Sequence, residues 1–167
     1  VSFSGGIGSF CVLKRVVELF PPEKIKVVFM DVLFEDEDLY RFNDDVFAYL
    51  NKHYPAIEII TLCDGRTPID ISLESNIVIN NRFPVCSKKL KSRVFKIWLK
   101  DNNIAPDDAV IHIGIDGTET RRCPGITKNY KHEVRYLLIE QGLSDKDTML
   151  AECADWGIDV PRLYKLG

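Results

Sequence analysis

A glycine-rich turn followed directly by an apolar helix face constrains this chain more than any other feature. Residues 4–9 read Ser-Gly-Gly-Ile-Gly-Ser. Apolar side chains then recur at the spacing of one helix face until two prolines end the pattern: Leu13, Val16, Val17, Phe20, Pro21 and Pro22. Such a turn directs several backbone N–H groups to one point, and the helix N-terminus adds partial positive charge. The sequence therefore predicts a phosphate-binding loop at residues 4–9.

Short apolar runs alternate with helical patterns along the rest of the chain. Strands are predicted over residues 24–31, 56–62, 109–114 and 134–139. Helices are predicted over residues 38–51, along an apolar face of Leu90, Val94, Ile97 and Trp98, and after an N-cap at Ser144. Residues 63–85 and 116–131 are predicted to be mainly loop. The alternation predicts a Rossmann-like α/β fold of three layers, αβα, around a mostly parallel sheet.

Composition narrows the domain organisation and the class of partner. The chain has 167 residues, 46% of them hydrophobic, and a net charge of −3. It is long enough for one core and has no general attraction to nucleic acid or to an anionic membrane. Its five cysteines include no CxxC pair and no zinc-type spacing. We expect one nucleotide-binding domain over residues 1–167, lacking part of its first strand and a C-terminal tail. We expect it to be located in the cytoplasm and to bind a small molecule.

Three phosphate-binding patterns compete for residues 4–9. The Walker A pattern fails because no Gly-Lys-Ser/Thr follows at the required spacing. The dinucleotide fingerprint keeps two of its three glycines, with Cys11 at the third and Asp31 near the position of the ribose-binding acid. The third pattern, Ser-Gly-Gly-x-x-Ser, adds the hydroxyls of Ser4 and Ser9 as donors to phosphate. This last pattern is the signature of the PP-loop.

With this loop the chain resembles the adenine nucleotide α-hydrolase-like superfamily, which includes the PP-loop ATP pyrophosphatases and the phosphoadenylylsulfate (PAPS) reductases. Further segments are similar to those of PAPS-reductase-like proteins: FMDVLFEDEDLYRF, PVCSKKLK, GIDGTETRR, EVRYLLIEQG and GIDVPRLYKLG. The resemblance covers most of the chain. It implies the adenine nucleotide α-hydrolase-like fold and an adenine nucleotide, ATP or PAPS-like, as ligand.

The resemblance also implies roles for individual residues. Phosphate and nucleotide binding are expected at Ser4, Gly5, Gly6, Ile7, Gly8, Ser9, Asp31, Val32, Cys86, Gly114 and Arg121. Catalytic roles are expected at Lys91, Glu119 and Arg122. No metal ligand is implied, because Gly8 stands where many ATP pyrophosphatases carry an aspartate. Mg²⁺ binding stays open, without support from the loop.

Several of these side chains have a plainer alternative. Arg122 could form a surface salt bridge with Glu119, and Asp31 could cap a loop. Cys86, which has basic neighbours, could be reactive or could be buried and inert. The cations around Lys91 could hold phosphate or sulfate or could form a solvated helix face: Arg82, Lys88, Lys89 and Arg93. His112 lies within a predicted strand and is expected to be a packed residue.

Three functions remain open from the sequence. The first is a PAPS-reductase-like enzyme, an oxidoreductase whose reducing thiol comes from a tail beyond Gly167 or from a donor such as thioredoxin. The second is an ATP pyrophosphatase that transfers the adenylyl group to a substrate and releases pyrophosphate. The third is a nucleotide-binding module without turnover. All three place the nucleotide at residues 4–9, and a homodimer is compatible with each.

Overall fold

Five short parallel strands form the centre of the computed structural model, which describes residues 1–76 and 85–166. They are β1 (Ser2–Phe3), β2 (Lys26–Asp31), β3 (Glu58–Cys63), β4 (Val110–His112) and β5 (Glu133–Arg135). β1 pairs with β2, β2 with β3 and β4 with β5. A parallel bridge between Ser2 and Ile113 joins the two groups, so the strand order is β3-β2-β1-β4-β5. The predicted parallel sheet is confirmed.

The described residues form seven α-helices around these strands. They are α1 (Ile7–Leu19), α2 (Glu37–His53), α3 (Pro68–Ser75), α4 (Arg93–Asp101), α5 (Cys123–Thr127), α6 (Leu137–Glu140) and α7 (Lys146–Asp155). A π-helix, Ser87–Ser92, leads into α4. Single 3₁₀ helices occupy Pro22–Lys24, Gly117–Arg122 and Arg162–Lys165.

Helices cover both faces of the sheet because successive side chains of a strand point to opposite sides. Along β2, Val27 and Phe29 pack into the larger core with α1, α2, α6 and α7. Val28 and Met30 pack into a second cluster with α4. The result is the three-layer αβα arrangement that the sequence predicts.

The helix that follows the cysteine–lysine segment buries a different face from the predicted one. Leu90 is fully buried, but the next buried residues are Phe95 and Leu99, and Ile97 is 45% exposed. The cause is the π-helix, which brings residues i and i+5 onto one face, so that Phe95 rather than Val94 follows Leu90 into the core. The predicted apolar face is therefore wrong at Ile97 and lacks Phe95 and Leu99, whereas Trp98 does pack against this cluster.

Residues 63–85 contain a helix where the sequence predicts loop. The Thr67 hydroxyl accepts from the Asp70 N–H while the Asp70 carboxylate accepts from the Thr67 N–H, a capping box that starts α3. Pro68 occupies the first turn, where its missing N–H costs nothing, and Ile71 anchors the helix to the core. The loop prediction is wrong for Pro68–Ser75. Residues 77–84, Arg82 among them, lie outside the described part of the chain.

Three smaller predictions also need correction. The predicted strand 134–139 is a strand only as far as Arg135, and α6 follows it. α7 is capped by Asp145, whose carboxylate accepts from the Thr148 N–H at 2.8 Å, and not by Ser144. Residues 116–131 are more helical than predicted, with one 3₁₀ helix and α5. No helix in the described ranges is both long and apolar enough to cross a membrane.

Candidate functional site

The glycine-rich loop lies where the order of the strands reverses. β1 runs into residues 4–6, and α1 begins at Ile7. From β1 the chain crosses to β2 on one side, whereas β4, on the other side of β1, leads away to β5. Connections that diverge in this way leave a crevice at the carboxyl ends of the strands, and open α/β sheets bind ligands there.

The two serine hydroxyls of the loop differ in their availability. Ser9 is 2% exposed, and its Oγ donates to the Gly6 carbonyl at 2.7 Å. Ser4 is exposed, and its Oγ donates to Ser9 Oγ at 3.2 Å. Ser9 therefore closes the loop internally, while Ser4 can turn its hydroxyl toward a ligand.

Gly5 joins the loop to α2. Its φ of +81° belongs to the left-handed region that glycine adopts without strain. A Cβ at this position would lie 2.7 Å from Asn43 Oδ1 and 2.8 Å from Leu39 Cδ2. Both the backbone conformation and the packing against α2 therefore require glycine.

Gly114 brings the segment after β4 against the loop. A Cβ here would lie 2.5 Å from the Ser9 backbone N and 2.6 Å from the Gly8 carbonyl carbon. Conversely, a Cβ on Gly8 would lie 3.1 Å from the Gly114 carbonyl oxygen. The two backbones touch at this point, so the glycines set how close the end of β4 comes to the first turn of α1.

A tyrosine from the last helical turn lies over the start of α1. The backbone N–H of Ile7 donates to the Tyr164 hydroxyl at 3.2 Å. A Cβ on Gly6 would lie 3.0 Å from the same oxygen. The first N–H groups of a helix have no partner within the helix. The Tyr164 hydroxyl supplies one for the N–H of Ile7.

The 3₁₀ helix Arg162–Lys165 is held against the start of α2 by hydrogen bonds from Arg162 to two carboxylates. The Arg162 backbone N–H donates to Asp38 Oδ2 at 2.5 Å, and its guanidinium donates to Asp36 Oδ2 at 2.8 Å. Hydrogen bonds from Arg41 and from the Arg162 backbone lower the pKa of Asp38 to about 2. These acids begin α2, where the helix dipole favours them, and they also anchor Tyr164 beside the loop.

The carboxylate of Asp31, at the end of β2, accepts hydrogen bonds from two nearby residues. Its Oδ1 accepts from the Leu33 N–H at 2.8 Å and from the Tyr40 hydroxyl at 2.7 Å. Burial and the hydrogen bond to Asp31 raise the pKa of Tyr40 to about 12. Leu33 has a φ of +57°, a costly conformation for a non-glycine residue. Val32 is buried and packs with Ile71 and Leu90.

Lys91 reaches the same edge of the sheet from the π-helix. Leu90 is buried with Val32 beneath the loop that follows β2. Lys91 Nζ then lies 3.2 Å from Glu35 Oε1, with 28% and 23% of the two side chains exposed. Cys86 is half-buried and packs against the Leu90 cluster. Lys91 is thus placed beside β2, with its charge partly accessible.

The residues after β4 are more exposed. Arg122 donates to Glu119 Oε1 at 2.5 Å across one turn of the 3₁₀ helix Gly117–Arg122. Their side chains are 53% and 42% exposed, and such a pair contributes little to stability. Arg121 is also exposed. In the described ranges Arg122 contacts Glu119 rather than the glycine loop, so the salt bridge considered for this pair is present.

Two of the five free cysteines are poor candidates for chemistry. Burial raises the pKa of the Cys11 thiol far above its usual value, and burial raises that of Cys153 to about 12. Within residues 1–76 and 85–166, no three His, Cys, Asp or Glu side chains are close enough to form a metal site.

No protein-family model and no curated protein sequence matches this chain. Among solved structures it is similar to a phosphoadenylyl-sulfate (PAPS) reductase from Candida auris, determined as a phosphate complex. The TM-score is 0.56, and the match covers 99% of this chain and 76% of that chain at 10% identity. The chain has the PAPS-reductase fold. At this identity the likeness is one of architecture.

The PAPS-reductase fold brings together part of the predicted site. Residues 4–9 touch Gly114, and Lys91 reaches the loop after β2, next to Asp31 and Val32. Glu119, Arg121 and Arg122 follow Gly114 at the end of β4 without joining these contacts in the described residues. Sequence reasoning missed Tyr164, Glu35 and Asn43. Of these, Asn43 carried a signal, since it is a polar residue on the apolar face of α2 that Val46 and Leu50 define.

Proposed function

We propose that this chain binds the phosphate groups of an adenine nucleotide at residues 4–9, with a PAPS-like nucleotide as the first candidate. The proposal rests on one observation: a glycine loop and the N-terminus of α1 follow β1 at the point where the strand order reverses. Phosphate is bound in the similar reductase structure, which makes a phosphate-type anion the natural first probe.

The surrounding charges fit a nucleotide with more than one anionic group. Lys91 supplies a partly exposed cation beside β2. Arg121 and Arg122 offer guanidinium groups after β4, suited to a second phosphate on the sugar. In the proposal Asp31 and the Val32 backbone lie against the nucleoside, and Glu119 orients Arg122.

The proposed chemistry is sulfur reduction. Converting the sulfuryl group of a PAPS-like nucleotide to sulfite takes two electrons, and the nucleotide bisphosphate is released. A dithiol partner of the thioredoxin type would supply those electrons and be oxidised to a disulfide. The residues of this chain would bind the nucleotide and stabilise its charge, while the thiol is external to the loop.

Calorimetric titration with pyrophosphate, PAPS and ATP tests the binding. We expect pyrophosphate to bind the wild type with a Kd of about 1 mM or tighter. Ser4→Ala should weaken it about fivefold to tenfold, because one hydrogen bond to a charged group is lost. Thr61→Val, which removes an exposed hydroxyl on β3, should leave the Kd unchanged. No binding by the wild type would refute the proposal.

Product analysis then separates the reactions. With PAPS and reduced thioredoxin, a PAPS-reductase-like protein should yield sulfite. With ATP and a substrate, an ATP pyrophosphatase should yield AMP and pyrophosphate. Binding without either product would leave a nucleotide-binding module.

Tyr164→Phe should weaken pyrophosphate binding about fivefold. The hydroxyl accepts from the Ile7 N–H, and no acceptor for its own proton is found among the described residues, so it can donate to an anion beside the loop. The variant also leaves the Ile7 N–H facing a ring edge. The measurement is the same titration, with Tyr49→Phe as control because Tyr49 stacks on Trp156 at 4.3 Å. Tighter binding by Tyr164→Phe would mean that the hydroxyl blocks the loop.

A further inference from the structure

A buried amide without hydrogen-bond partners lies directly beneath the glycine loop. Asn43, on α2, is 2% exposed, and neither Nδ2 nor Oδ1 has a partner in the described part of the chain. Buried polar groups are nearly always paired, and each one left unpaired costs about 1–3 kcal/mol. Because the unpaired amide of Asn43 lies next to a candidate binding loop, we look for its partner in the ligand-bound form of that loop.

The side-chain amide of Asn43 lies against Gly5 of the glycine loop. A Cβ on Gly5 would lie 2.7 Å from Oδ1 and 2.9 Å from Nδ2 of Asn43. Both polar atoms therefore touch the one residue of the loop that has a positive φ. Since Gly5 has no Cβ, the peptides on either side of it can rotate at little cost.

Peptide geometry links this amide to anion binding. The N–H and C=O of one planar peptide point in opposite directions. When the Gly5 N–H turns outward to a phosphate, the Ser4 carbonyl must turn inward, toward Asn43. A carbonyl that turns inward needs a donor, and Nδ2 of Asn43 is a buried, unpaired donor at that place.

We infer that Asn43 is a positioning residue that stabilises the anion-bound form of the loop. Its amide hydrogen-bonds the loop backbone at the Ser4–Gly5 peptide when the N–H groups face phosphate, and it lacks that partner when they do not. Asn43 thus contributes to affinity without touching the ligand. The inference deepens the proposed function and rests on it.

Asn43→Leu, nearly equal in size, separates binding from stability. We expect pyrophosphate to bind about tenfold more weakly, because the inward carbonyl loses its donor. Without ligand, the Tm should stay the same or rise by about 2–4 °C, because an unpaired amide is replaced by an apolar group. A residue with a purely structural hydrogen bond would show the reverse, a lower Tm and an unchanged Kd.

His112→Leu is the matched control. His112 is also buried, its Nδ1 also lacks a partner in the described ranges, and burial lowers its pKa to about 4. Its ring lies 5.5 Å from that of Phe20, at the opposite end of α1 from the glycine loop. The control should leave the affinity for pyrophosphate unchanged.

A second measurement does not depend on the variant folding. The side-chain amide protons of Asn43, followed by NMR in the wild-type protein, should shift and exchange more slowly with solvent when pyrophosphate is added. If pyrophosphate binds and these protons do not respond, or if Asn43→Leu binds equally well, the role of Asn43 is refuted alone. If the wild type does not bind pyrophosphate, the proposed function and the role of Asn43 are refuted together.

Discussion

Gly114→Ala should unfold far more easily than the wild type and bind pyrophosphate at least about tenfold more weakly. The new methyl group would lie 2.5–2.6 Å from backbone atoms of Gly8 and Ser9, which cannot move aside as a flexible side chain could. Either the end of β4 or the first turn of α1 must shift, and overpacking of this kind costs about 3 kcal/mol or more. Urea unfolding and calorimetric titration measure the two effects.

Gly125→Ala provides the control for this substitution. Gly125 lies in α5, and a Cβ there would have no neighbour within 4 Å. The change should leave binding intact and stabilise the protein by about 0.5–1 kcal/mol, because alanine loses less entropy in a helix. If Gly114→Ala behaves like Gly125→Ala, the approach of β4 to the loop does not depend on glycine at position 114.

Glu152→Gln should lower the free energy of unfolding by about 2–3 kcal/mol at neutral pH. Arg15 donates to both carboxylate oxygens of Glu152 at 2.7 Å, and each side chain is only 14% exposed. The pair joins α1 to α7, and an amide can accept only one of the two hydrogen bonds. Asp155→Asn is the control on the same helix, because Asp155 is exposed and its pairing with Lys14 is worth little.

The effect should depend on pH in a definite direction. Burial alone would raise the pKa of Glu152, but the hydrogen bonds and charge of Arg15 outweigh it and hold that pKa below 4.5. A carboxyl group whose pKa is depressed by folding stabilises the protein above its unfolded pKa and loses that contribution as the pH falls through the folded pKa. The difference between wild type and Glu152→Gln should therefore shrink below about pH 4. A difference that is constant from pH 7 to pH 3 would contradict this account.

The spacing of apolar residues and glycines predicted the elements whose form depends on neighbouring residues. The apolar runs predicted β2 and β3 within two residues, and the glycines marked the turn that precedes α1. The predicted apolar face of α4 was wrong at Ile97 and missed Phe95 because a π-helix shifts the register, and its hydrogen bonds leave no distinct trace in the order of apolar residues. α3 was missed although Thr67 and Asp70 form a recognisable capping box.

The candidate site was less predictable because its contacts join distant parts of the chain. Tyr164 meets Ile7 across 157 residues, and Lys91 meets Glu35 across 56. No short motif encodes either pair. Gly114 is the informative exception: the resemblance of GIDGTETRR to PAPS-reductase-like proteins implied a nucleotide contact, and the structure gives this glycine a backbone contact with the loop.

The long separation between Ile7 and Tyr164 has a consequence for the order of folding. A contact across 157 residues costs more loop-closure entropy than a local one. We therefore expect this hydrogen bond to form late, after the strands and helices between its ends. The Ile7 N–H would gain its tyrosine partner only in the last steps of folding.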